Sequence, residues 1–209
     1  MNLVHSNLAK DRSRPMSIQP MELVWPAAQY LSGYVHALQQ GWSPDNLRPQ
    51  AAVEELAEIA QDAARFIAEQ VDREAKGPPI SLPDGRTVPR LPGYSRWMWD
   101  GEFCGSISFR WQPGTTELPP YCLGHIGYSV VPWRRQRGYA TRALQLLLPE
   151  ARNERLAYVE LTNEGNPSTE IVHFLKDALK SEEQARLLDE ITGPNFADFK
   201  ARVIAAPNN

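Results

Sequence analysis

VVPWRRQRGYATRAL, residues 130–144, places four arginines and one glycine between an apolar run that ends at Pro132 and a second run that keeps helical spacing. The chain is acidic as a whole, with a formal net charge of −3. Positive charge is therefore concentrated at one junction. A helix begins with backbone N–H groups that have no partner inside it, and its dipole adds partial positive charge there. If residues 136–141 form that first turn, Gly138 lets an anion approach the backbone without a Cβ in the way, and Ala140 keeps the contact surface small. Arg134, Arg135, Arg137 and Arg142 add charge-assisted donors, and residues 118–149 contain no Asp or Glu to neutralise them locally. The junction reads as a seat for a polyphosphate.

The flanks support that reading. Upstream, YCLGHIGYSVV (121–131) puts Ile126, Tyr128 and Val130 on one face of a strand stopped by Pro132. Downstream, Ala140, Ala143, Leu144, Leu147, Leu148 and Ala151 mark one buried face of a helix, and LAYVELT (156–162) follows as a strand. Strand, turn, helix and strand make a βαβ unit.

GHIGYSVVPWRRQRGYATRAL followed by YVELTNEGNPS resembles the GNAT N-acetyltransferase superfamily, with Arg135, Gly138 and Ala140 at the three positions of its R-x-x-G-x-G/A turn. Residues 21–168 look like its uncharacterised bacterial predicted acetyltransferases. The resemblance implies an α/β (α+β) fold: a mixed, mostly antiparallel twisted sheet with helices on both faces. It implies acetyl-CoA as acyl donor, no metal, and direct attack by an amine in a ternary complex. The backbone of Val130 and Val131 would pair with the pantetheine arm, and Arg135, Gln136, Arg137, Gly138, Tyr139, Ala140 and Thr141 would wrap the pyrophosphate. Asn163, Asn166 and Ser168 fall where relatives place polar contacts to the cofactor. An amine must lose a proton before it attacks, and His125 and Glu160 are best placed by sequence to receive it. Both also fit ordinary structural roles, as do Asn163, Asn166 and Ser168 in a turn and helix cap.

Working outward, MELVWP (21–26) reads as a short strand and residues 27–42 as a first helix with Tyr30, Tyr34, Val35 and Leu38 on one face. A second helix over residues 46–74 is expected to bury Val53, Leu56, Ala57, Ala60, Ala64 and Ile67. A Pro/Gly-punctuated stretch with turns at Asp84-Gly85 follows. The period then changes to two, and Asp100-Gly101 joins two antiparallel strands. Trp97, Trp99, Phe109 and Trp111 are expected in the core rather than in a binding cage.

Relatives end with two further strands, whereas residues 169–209 read as an atypical, mainly helical segment that leaves the YVELT strand with an open edge. The tail or a second subunit, in a homodimer, could cover it. Residues 1–20 read as a flexible extension.

Composition sets the outer limits. With 209 residues, 42% of them hydrophobic, the chain can bury a real core. No bulk positive charge argues for nucleic acid or a membrane surface, and no signal peptide or membrane span is evident, so a cytoplasmic protein is expected. Cys104 and Cys122 read as free thiols. The acceptor, a small-molecule or peptide amine, stays open because it depends on loops 77–96 and 112–121. A non-catalytic CoA-binding or dimerising module is the alternative, and a nucleic-acid contact at the arginines ranks last.

Overall fold

The computed structural model describes residues 20–46, 48–82, 84–156, 158–164 and 198–204. The first strand, β1 (Glu22–Val24), stops at Pro26, and α1 (Ala28–Gln39) and α2 (Ala51–Glu69) follow. A short strand, β2 (Val71–Asp72), leads to a small separate hairpin of β3 (Ile80–Ser81) and β4 (Thr87–Val88). Then come β5 (Gly93–Trp99), β6 (Phe103–Arg110), β7 (Ile126–Val130), a 3₁₀ turn over Pro132–Arg134, α3 (Tyr139–Asn153), β8 (Tyr158–Glu164) and β9 (Asp198–Ile204). The main sheet runs β1-β5-β6-β7-β8-β9, with β2 also paired to β5. Every pair is antiparallel except β7 with β8, which α3 crosses over to connect. The expected mixed, mostly antiparallel fold is observed.

The sheet separates two cores. On one face, Ala143, Leu144, Leu147 and Ala151 of α3 pack on Met98, Ile107, Phe109, Ile126, Val159 and Leu161. On the other, Tyr34, Ala37 and Leu38 of α1 and Ala52 and Phe66 of α2 enclose Trp97, Phe103 and Val131. Tyr34 stacks on Trp97 with ring centroids 4.6 Å apart. The strand aromatics are core residues, as expected.

Regular alternation would put Phe103 on the same face as Ile107, yet Phe103 packs with α1 while Cys104 and Ile107 pack with α3. An irregularity in the β5–β6 ladder accounts for the switch: Met98 pairs Gly105 and Trp99 pairs Phe103, so Cys104 is the extra residue. Gly105 has φ of 149°, and a Cβ there would lie 2.4 Å from the Ser129 carbonyl oxygen. Only glycine fits. Burial pushes the Cys104 thiol up to about 12, so it behaves as an inert core group.

Two expectations need correction. In α2, Leu56 and Ile67 pack inward as expected, but Val53, Ala57, Ala60 and Ala64 are exposed, and the inward face is completed by Ala52, Ile59 and Phe66. Alanines recur on every side of this helix, so their spacing cannot select a face. The edge of β8 is covered by the tail, one of the covers expected, but by a strand rather than a helix: β9 pairs with it over seven registered positions, from Tyr158 with Ile204 to Glu164 with Asp198. The missing strand lies at the end of the stretch read as mainly helical, where alternating FKARVI suits an extended backbone. The edge proposed for a second subunit is thus occupied by the chain itself. The helix expected from residue 169 and the extension at residues 1–19 lie outside the described residues.

Candidate active site

β7 and β8 are joined by a single registered pair, Ile126 with Leu161, extended by the His125 N–H donating to the Glu160 carbonyl at 2.9 Å. Beyond Ile126 the strands part. The other edge of β7 follows from its ladder with β6: Arg110 N–H donates to the His125 carbonyl and Val131 N–H to the Cys104 carbonyl. By alternation, the peptide groups of Tyr128 and Val130 point away from β6 and into the opening. The Asn46 side-chain amide donates to the Tyr128 carbonyl at 3.1 Å, and Arg135 Nε to the Val130 carbonyl at 3.1 Å. Val131 was expected to offer its backbone beside Val130, but its N–H is spent on β6 and its side chain is fully buried. Only Val130 of that pair faces the opening.

The turn that follows is built for close approach. Arg135 (φ −64°, ψ 160°) and Gln136 (φ 59°) take type-II-like turn geometry, and Gly138 is left-handed at φ 73°. A Cβ on Gly138 would meet no atom within 4 Å. Among the described residues, the N–H groups of Gln136, Gly138, Tyr139, Ala140 and Thr141 donate to no protein group, and the first α-helical bond into the turn is Arg142 N–H to the Gly138 carbonyl at 2.9 Å. Arg135, Arg137 and Arg142 are exposed and carry no acidic partner among the described residues. These groups fit the diphosphate bridge and further phosphate of a CoA thioester.

Arg134 differs. The hairpin between β5 and β6 brings Glu102 to 2.7 Å and Asp100 to 3.4 Å from its guanidinium, and Asp100 also accepts from the Tyr139 hydroxyl. Burial alone would push the Asp100 carboxyl up, but the Tyr139 hydroxyl, the Cys104 thiol and Arg134 outweigh it and hold it below the usual range. The expectation that no acid neutralises the arginines therefore fails for Arg134, because its partners lie some thirty residues away in sequence. The network anchors the start of α3.

A cavity of about 670 Å³ lies between α2 and the sheet. Its floor is a row of small residues paired across three strands, Ser95 with Ser108 and Ser108 with Gly127. The next row on that face, Trp97, Ser106 and Ser129, is filled by the indole. One rim is the turn after α1, fixed to β7 by Ser129: its hydroxyl accepts from Trp42 Nε1 at 2.9 Å and lies 2.9 Å from the Ser43 carbonyl and 3.1 Å from Asn46 Oδ1. Asp45 and Asn46 of this turn line the cavity with Glu55 of α2.

Glu55 was not evident as a site residue from sequence. With the α2 face correctly drawn through Ala52, Leu56 and Ile59, it is an acid on the inward side, and that is the signal available. Burial first of all raises its carboxyl to about 7, with Glu58, Glu54 and Asp45 adding to the rise and the Tyr34 hydroxyl working against it.

His125 and Glu160 are brought together but kept inside, at 0% and 2% exposure. The Glu160 N–H donates to His125 Nδ1 at 3.0 Å, and neither residue lines the cavity. Asn163 lies on β8 beyond the point where the strands part, opposite Phe199 of β9. Asn166 and Ser168 lie outside the described residues. Among the described residues no cluster of metal-ligating side chains occurs, and no helix is long and apolar enough to cross a membrane.

No curated protein matches the chain. Among solved structures, it is similar to the Microcin C7 self immunity acetyltransferase MccE in complex with acetyl-CoA and AMP, at 12% identity and a TM-score of 0.46, over 87% of this chain and 89% of that one. The model of the acetyltransferase (GNAT) family matches residues 51–176, more than half of the chain and the whole βαβ unit with its arginine turn, and the chain belongs to that family.

Proposed function

We propose that the protein is an acetyl-CoA-dependent N-acetyltransferase in which an amine attacks the thioester directly in a ternary complex. The observation that carries this reading is the parting of β7 from β8 immediately before a turn in which several N–H groups, those of Gly138, Tyr139, Ala140 and Thr141 among them, meet no protein acceptor among the described residues. Acetyl-CoA supplies the activated acetyl group. Residues 135–141 hold its phosphates, and the Tyr128 and Val130 peptide groups offer an edge to its extended arm. The Tyr128 and Val130 N–H groups face the side where negative charge develops on the thioester oxygen, and either can donate to it.

The proton of the incoming ammonium needs an acceptor matched to neutral pH. Glu55 supports that role better than His125 or Glu160. It lines the cavity together with Asn46, whose amide donates to the Tyr128 carbonyl on the β7 edge, and its carboxyl titrates at about 7.

Calorimetry with CoA and thiol release from acetyl-CoA over an amine panel test the reading. Binding with turnover supports it. Binding without turnover on any amine leaves the non-catalytic CoA-binding module, and absence of CoA binding removes both.

A further inference from the structure

Resting on the N-acetyltransferase reading, we propose that Arg110 is the carboxylate anchor of the acceptor cavity, and that the acceptor is an α-amino acid with an apolar side chain. Arg110 ends β6 and lines the cavity, with its guanidinium lying across the small-residue floor. Its Nη2 donates to Ser108 Oγ at 3.1 Å, and a Cβ placed on Gly127 would be 3.2 Å from that same nitrogen. A side chain at residue 127 would crowd the guanidinium where it lies over β7.

Arg110 is half-buried and has no acidic partner among the described residues. The contrast is with Arg90, the other arginine lining the cavity, which donates to the Pro78 carbonyl and lies beside the Asp72 carboxylate. A guanidinium presents five donors in a flat fork that suits a carboxylate, and Arg110 spends one on Ser108. Holding a cation in a cavity without a counter-charge is unfavourable until a ligand supplies one.

The acids that line the cavity are Glu55 and Asp45, with Glu69, which pairs with Arg65, and Asp72, which lies beside Arg90. A zwitterion complements both charges, its ammonium toward Glu55 and Asp45 and its carboxylate on Arg110. Ile80, Leu82, Leu91 and Leu123 line the remaining wall and match an apolar side chain.

Matched pairs test this: L-phenylalanine against phenethylamine, and L-leucine against 3-methylbutylamine, each with acetyl-CoA and thiol release as readout. The amino acid is expected to exceed its decarboxylated partner in kcat/KM by at least about tenfold, through KM. Arg110→Gln should narrow that ratio to within about twofold, and Arg110→Lys, which keeps charge without the fork, should fall between. Equal use of both members by the wild-type protein, or an unchanged ratio in Arg110→Gln, overturns the proposal. Should no amine be acetylated, the enzymatic reading fails and the anchor is judged separately by calorimetry of L-phenylalanine on the CoA-loaded protein. Binding lost in Arg110→Gln then supports it, and no binding to the wild type, or equal binding to both, overturns it.

Discussion

The Tyr34 hydroxyl donates to Oε2 of Glu55, so a carboxylate carried by α2 is held by a buried residue of α1. Burial and the neighbouring acid keep the Tyr34 phenol protonated well above its ordinary range, which preserves it as a donor across all working pH values. The bond steadies the ionised form of Glu55 while burial opposes it.

Glu55→Gln should lower kcat/KM by about 10²–10³ if this carboxylate takes the ammonium proton. In the wild-type protein kcat/KM should rise with pH through about 7, as Glu55 ionises, and the variant should lose that limb. A pH profile on one good acceptor checks both.

Tyr34→Phe removes the hydrogen bond that works against the raised carboxyl, so the rising limb should move to higher pH with the maximum rate less affected. Replacing a packed phenol by a phenyl ring preserves the stacking on Trp97. A limb that stays in place would argue against Glu55 as the titrating group.

The same carboxyl leaves a mark on stability. A folded-state value of about 7 lies above the ordinary 4.5, so the native state keeps a proton that the unfolded chain has released. Stability should therefore fall as pH rises from about 4.5 to 7, by on the order of 2 kcal/mol from this group. Glu55→Gln should flatten that decline in urea melts across the window.

The arginines of the turn should separate into two kinds. Arg135→Ala and Arg137→Ala should weaken CoA binding and reduce its salt dependence while leaving the melting temperature near wild type. Arg134→Ala strands Asp100 beside the Tyr139 hydroxyl and should cost about 1–3 kcal/mol of stability with a smaller effect on affinity. Because the Asp100 carboxyl sits below its ordinary value, its stabilisation is present above that ordinary value and is lost as pH falls through the lowered one.

Gly138→Glu should raise the Kd for CoA at least about tenfold by placing a carboxylate where phosphate belongs. Gly138→Ala should cost about 1 kcal/mol of stability from the φ of 73°. Calorimetry and thermal melts read the two effects separately.

The βαβ unit and the hairpin were legible because their signals are local. The α3 face at Ala143, Leu144, Leu147 and Ala151, the stop at Pro132 and the Asp100-Gly101 turn each depend on neighbouring residues alone. What stayed hidden depends on distance along the chain. Arg134 meets Asp100 and Glu102 only because β6 pairs with β7, and Arg110 reaches over Gly127 for the same reason. Glu55 was hidden by composition, since an alanine-rich helix offers several faces of similar character. The extra residue at Cys104 was hidden by its neighbours, as Phe103 and Cys104 are both apolar and alternation cannot tell which one breaks step.

The lone Ile126–Leu161 rung has a mechanical consequence. Among the described residues, the strand pairing between the β1–β7 part of the sheet and the β8–β9 flap passes through that point and its His125–Glu160 extension, so the flap is stitched to β7 at one end and held elsewhere by side-chain packing and by α3. A thioester arm threaded along β7 would supply the absent rungs, making the substrate a temporary strand. Amide exchange in β8 and β9 should accordingly slow far more on CoA addition than exchange in β5 and β6, which already pair with each other at seven positions.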